Sequence, residues 1–279
     1  MAARLLAPGV WELAGFAARV LLPVVGLGMA LAVLYWLTKS NDPAALPSLV
    51  LRIAAGAAVS ACVLGWMFGP ARRHAPSRIG RPGRGSGVVP FPVGLLAFVL
   101  GGAAWLVPAV AGFAVLGFLG FPLNAVAAPA ELAATVLLIL AAVLLCEAIP
   151  EEVVFRGYLM RVLGERLSGW WTNVVQAALF TAFALVLRGW TGTADLLLFL
   201  SMGLGLGYLR LVTGSVWTTV GFHTAFQTGA QLALTHNAVD FPGSAGLSML
   251  ALGVVPFAAG IILLDSLARI RPGAFAGRK

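Results

Sequence analysis

Three glutamates, Glu147, Glu151 and Glu152, fall within six residues of a chain in which 60% of residues are apolar and only 10% are charged. Ionisable groups inside an apolar chain are expensive, so their location is a pointer to function. On a helix Glu152 and Arg156 stand four residues apart and can pair, whereas Glu151 points about 100° away from that pair. One acid is then held as an ion pair and the other is left free. A free carboxylate facing a cavity can take a proton from water, which is the act of a general base. Pro150, just ahead of the acids, fits a helix broken or restarted there, because proline and acidic side chains both suit a first helical turn. A second polar position stands far along the chain, where His223 is followed four residues later by Gln227. A zinc site needs about three protein ligands. Glu151 and His223 are the ligands available to one, and with Glu152 committed to Arg156 they are too few, so no cofactor or metal is expected.

These residues must be positioned by membrane helices. Apolar stretches long enough for a bilayer core of about 30 Å run from Leu13 to Leu37, Leu46 to Phe68, Phe91 to Leu119, Leu132 to Ala148, Trp170 to Leu187, Leu196 to Tyr208, Val216 to Leu234 and Leu247 to Leu264. The fold expected is all-α, a polytopic integral membrane bundle of about eight helices. The net charge of +8 and pI near 10.7 do not make a nucleic-acid binder of such a chain. Excess arginine in a membrane protein records orientation. Arg72, Arg73, Arg78, Arg81 and Arg84 crowd one loop, and Arg269, Arg271, Arg278 and Lys279 end the chain. Eight spans put both regions on one face with Arg4, Arg156, Arg161, Arg166 and Arg210, leaving Lys39 and Arg188 opposite. That face and both termini are expected to be cytoplasmic, in a plasma membrane of bacterial character. Arg19 and Arg52 lie inside spans near their ends, where either can snorkel to an interface. The organisation expected is two N-terminal helices over 1–69, a basic loop over 70–90, a six-helix core over 91–268 and a basic tail over 269–279. Cys62 and Cys146 sit in spans as packing residues. Gly203, Gly205 and Gly207, and Gly65 with Gly69, have the small-residue spacing that lets helices approach closely.

The run Glu151-Glu152-Val153-Val154-Phe155-Arg156-Gly157 resembles the Glu-Glu-x-x-x-Arg motif of the CPBP intramembrane proteases, which include the type II CAAX prenyl endopeptidases and bacteriocin-processing relatives. The resemblance implies a CAAX-protease-like core over the last six spans, with Glu151 activating the attacking water and Glu152 paired with Arg156. It also implies two histidines from later helices. The first should fall in Leu179-Phe180-Thr181-Ala182-Phe183-Ala184, but position 184 is alanine, and no other histidine stands between Glu152 and His223. The second is His223, followed by Gln227 where the family has Asn or Asp. His74 and His236 lie too far off to substitute.

Two functions follow. In one, the chain is an intramembrane endopeptidase, of reduced activity for want of one histidine, with Glu151 and His223 catalytic and Glu152, Arg156 and Gln227 supporting. In the other, it is an inactive scaffold of the same fold that binds another membrane protein. The partners expected are the lipid bilayer and a membrane protein or peptide substrate, with no nucleic acid. The site is expected between the fourth, fifth and seventh spans, near the cytoplasmic end of the fourth.

Overall fold

The computed structural model describes residues 8–38, 45–68, 91–189, 192–236, 238–271 and 274–275. The loop arginines from Arg72 to Arg84, His74, Lys39, Arg4, Arg278 and Lys279 lie outside them. The described residues form eight long helical runs: α1 (Pro8–Thr38), α2 (Leu46–Phe68), α3 (Phe91–Phe118), α4 (Pro129–Leu163), α5 (Gly169–Arg188), α6 (Thr193–Thr213), α7 (Val216–Leu234) and α8, built of Ala245–Met249, Leu250–Val254 and Val255–Ile270. The chain is an integral membrane protein. Large apolar side chains such as Leu22, Trp36, Val186 and Ile262 face outward, where only the bilayer can take them out of water.

Eight spans were expected, and among the described residues seven helices are long and apolar enough to cross a membrane. The helix that falls short is α7. It carries Thr218, Thr219, His223, Thr224, Gln227 and Thr228, all buried, and so trades lipid-compatible side chains for interior polar ones. Instead of facing lipid it packs along α3, backbone against backbone. A side chain on Gly101 would strike the Thr218 carbonyl, and one on Gly221 would strike the Phe98 carbonyl. Gly203 and Gly207 do the same for α6 against Ala177 and Asn173 of α5, but Gly65 faces open space and brings no helix close.

Helix α4 departs most from expectation. No restart occurs at Pro150: the helix runs unbroken for 35 residues, about 52 Å at 1.5 Å per residue, with two wide π turns. The first covers Leu144–Ala148, where Ile149 N–H reaches back five residues to the Leu144 carbonyl, and the second covers Val153–Leu159. Proline is accommodated because a π turn already loosens the i→i−4 ladder that it would break. The acids therefore lie mid-helix, not at a helix end, and the helix continues to Leu163.

The helices alternate in direction. Helices α2 and α4 therefore lie side by side in the same direction, with Leu49 packed near Ile139, Arg52 beside Glu147 and Trp66 on Tyr158. One end of the bundle holds Phe68, Phe91, the α4–α5 turn, the α6–α7 turn and Ile270. The other holds the α1–α2, α5–α6 and α7–α8 connections and a short antiparallel pairing of Asn124–Ala125 with Val239–Asp240.

Candidate active site

Glu152, Arg156 and His223 form one closed cluster. A guanidinium nitrogen of Arg156 donates to Glu152 Oε1 at 2.9 Å, and His223 Nδ1 donates to the same oxygen at 2.9 Å. The three side chains are 0% exposed. Arg156 also lies over the Phe180 ring, 4.3 Å from its centroid, and turns its other terminal nitrogen toward the Met202 and Gly203 carbonyls of α6 at 3.5 Å. This cluster ties α4, α5, α6 and α7 together around a dry charge pair.

Glu147 forms a second cluster, which the sequence reading did not assemble. Its Oε1 accepts from Arg52 of α2 and Gln231 of α7, both at 2.9 Å, and its Oε2 accepts from Arg188 of α5 and Gln227 of α7, both at 3.0 Å. Arg52 does not snorkel outward. It turns into the bundle, where its side chain is 15% exposed. Arg19, the other arginine near a span end, pairs with Glu165 on the outside. Helix α2 meets the first π turn along one stripe of residues four apart. Arg52 holds Glu147, Gly56 leaves room for Cys146, and Ser60 donates to the Leu145 carbonyl at 2.6 Å. A π turn changes which carbonyls find intrahelical partners, and α2 supplies an outside donor to one of them.

Glu151 stands between the clusters and belongs to neither. Among the described residues no side chain hydrogen-bonds it. It is one of the residues shared by two cavities, of about 840 and 300 Å³, the larger within the usual range of ligand pockets. Arg188, Gln227, Leu187, Leu198 and Phe226 also line both. The smaller cavity includes Ala184, so the position where the family resemblance places a histidine lies on the same cavity as Glu151. His223 lines neither cavity. Glu147, Arg52 and Gln231 line the larger, with Leu31 and Leu34 of α1, so the two N-terminal helices wall the site as well.

The acids, expected at the end of the fourth span, lie instead in the interior of α4. The larger cavity occupies the end of the bundle away from Phe68, Phe91 and Ile270. The long continuation of α4 past the acids accounts for the difference. Arg52 and Glu147 could have been noticed from sequence as an unpaired cation and anion in separate apolar runs, but their 95-residue separation left no periodic signal. Among the described residues, no three His, Cys, Asp or Glu side chains are grouped to hold a metal ion.

No curated protein and no solved structure matches the chain. A family model does, over residues 133–229, under the description "Type II CAAX prenyl endopeptidase Rce1-like". The match begins in α4 and ends in α7, taking in both glutamates of the motif, Arg156, Ala184, His223 and Gln227. Residues 133–229 are thus similar to an Rce1-like type II CAAX prenyl endopeptidase domain, here set among additional membrane helices.

Proposed function

We propose that the protein is a CPBP-type intramembrane endopeptidase in which Glu151 activates water. The observation that carries this reading is the state of Glu151. It is a carboxylate without a hydrogen-bonding partner, on the wall of two cavities, in a segment that matches a peptidase family. In the reaction, Glu151 takes a proton from water as the water oxygen bonds to the peptide carbonyl carbon, and the carbonyl π pair moves onto oxygen. Gln227 and Arg188, both on the cavity walls, supply donors to that oxyanion. Collapse of the tetrahedral species breaks the C–N bond, and the proton held by Glu151 passes to the leaving amine. Glu152, Arg156 and His223 hold α4 and α7 in register so that Glu151 and Gln227 face one space. His223 then acts through Glu152, a positioning role.

A second reading has a specific observation behind it. Ala184 offers no imidazole, and His223 is spent on Glu152 away from the cavity, an arrangement that also suits a non-hydrolytic scaffold for another membrane protein. The two separate in a cleavage assay with purified protein in liposomes and a panel of membrane-spanning fluorogenic peptides. The endopeptidase reading expects slow cleavage that Glu151→Gln lowers by about 10²–10⁴-fold, the usual worth of a general base, with the melting temperature preserved. Wild-type cleavage equal to that of Glu151→Gln, together with capture of a membrane protein by both forms, establishes the scaffold.

A further inference from the structure

The larger cavity lies at one end of the bundle, and the charge of the chain distinguishes the two ends. Its walls come from the last turns of α1, the first turns of α2, the end of α5, the second half of α7 and the beginning of α8. These, with Leu198 near the start of α6, belong to the end that holds the α1–α2, α5–α6 and α7–α8 connections, and Cys146, Glu147 and Glu151 from the middle of α4 complete the wall. Thr38, Ser48, Thr235 and Ser248 are among the polar residues of its lining, which is otherwise largely apolar. Ser48 is 0% exposed, and its hydroxyl has no hydrogen-bond partner among the described residues.

Basic residues gather at the other end. Arg161 and Arg166 stand at the α4–α5 turn, Arg210 near the end of α6, and Arg269 and Arg271 at the end of α8. The five loop arginines from Arg72 to Arg84 are bound in sequence between Phe68 and Phe91, two helix ends on that same side. At the cavity end the described basic residues are Arg52 and Arg188, both engaged by Glu147, while acids stand at both ends, Glu131, Asp195 and Asp240 at this one and Glu12, Glu165 and Asp265 at the other. Lysine and arginine near span ends are retained on the cytoplasmic face.

We propose that the site opens away from the cytoplasm and receives segments presented from the extracytoplasmic side of the membrane. A cytosolic tail cannot reach Glu151 through the basic end, where Leu159, Val162, Leu163 and Phe155 are packed without exposure above 3%. The direction of opening holds whether or not the site hydrolyses. That the segment received is a peptide to be cut rests on the endopeptidase reading.

Single cysteines test this in the full chain carrying Cys62→Ala and Cys146→Ala, with an impermeant maleimide added to intact cells. Met249→Cys samples the cavity mouth and Ala230→Cys its wall, one turn beyond Gln227. Ser168→Cys samples the exposed α4–α5 turn at the basic end. The expected pattern is labelling of Met249→Cys and Ala230→Cys in intact cells and of Ser168→Cys only after permeabilisation. Labelling of Ser168→Cys in intact cells, or protection of both cavity cysteines until permeabilisation, overturns the proposal. Met249→Cys and Ser168→Cys replace exposed side chains and Ala230→Cys adds one atom, so the variants keep the fold. Cleavage plays no part in the readout, so a failure here is distinct from a failure of the endopeptidase reading.

Discussion

Two acids one residue apart on α4 live in different solvents. Glu152 is surrounded by Arg156, His223 and the Phe180 ring with no exposure at all, whereas Glu151 looks into open cavity. One turn earlier Glu147, with a side chain 14% exposed, is less buried than Glu151 at 5% but is held by four donors. The same side chain thus serves three ends, decided by azimuth on one helix. In the dry cluster each charge has already given up its hydration, and only its partner makes the arrangement tolerable. At the cavity wall, water remains available, so a carboxylate can stay uncommitted and still be stable enough to react. The lesson is that the ion pair, the most conspicuous feature of the motif, is the part with least access to a substrate.

The contrast breaks most severely if Arg156 is removed. Arg156→Ala leaves Glu152 charged and buried beside only His223, and should lower stability by about 3–5 kcal/mol, read as an early thermal transition in detergent. Replacing both partners together, Glu152→Gln with Arg156→Met, removes the uncompensated charge and should recover more than half of that loss. Equal melting of wild type and single variant would mean that the cluster is hydrated, and the two regions would not differ as described.

Ala184→His sharpens the other side of the comparison. The alanine lines the 300 Å³ cavity with Glu151, so an imidazole there enters open space and not a packed interior. On the endopeptidase reading, cleavage of the liposome peptides should rise by about 10²-fold, the usual worth of one proton-handling or oxyanion group, and Glu151→Gln should cancel the gain. A stable Ala184→His protein with unchanged cleavage counts against a competent site and for the scaffold.

The smallest effect is expected at Arg52. Glu147 keeps Arg188, Gln227 and Gln231 when Arg52→Ala removes one donor, so the loss should be about 1.5 kcal/mol. Arg52→Lys, which retains the charge but not the planar fork, should restore about half. A loss as large as that of Arg156→Ala would show the cavity wall to be as dry as the ion-pair cluster.

Much of this was legible in the residues. The apolar runs located the helices closely, since the bilayer dictates both their length and their composition. Helix α7 was located as well, over Val216–Leu234, but its run of threonines, His223 and Gln227 leaves it short of the apolarity of a lipid-facing span because it lies inside the bundle. The Glu-Glu-x-x-x-Arg spacing marked the pair that meets at 2.9 Å, because side chains four apart on a helix are neighbours whatever surrounds them. The expected helix break at Pro150 did not survive. A proline and two acids describe a first helical turn equally well as they describe the interior of a loosened one, and only packing against α2 distinguishes them.

What the chain determines by itself, then, is everything local or imposed by the bilayer: an all-helical membrane bundle, the excess of basic residues at one set of helix ends, and the Glu152–Arg156 pairing. What the tertiary structure alone decided is that Arg52 and Glu147 join across 95 residues, that His223 meets Glu152 and not the cavity, and at which end of the bundle the cavity lies. The reason is geometric. The first π turn in α4, over Leu144–Ala148, shifts the azimuth of the side chains that follow it, so a regular helical wheel of 3.6 residues does not place Glu151 and Glu152 relative to the first half of the helix. That turn packs against Gly56 and Ser60, on a helix far away in sequence, which leave space for Cys146 and donate a hydrogen bond to the Leu145 carbonyl.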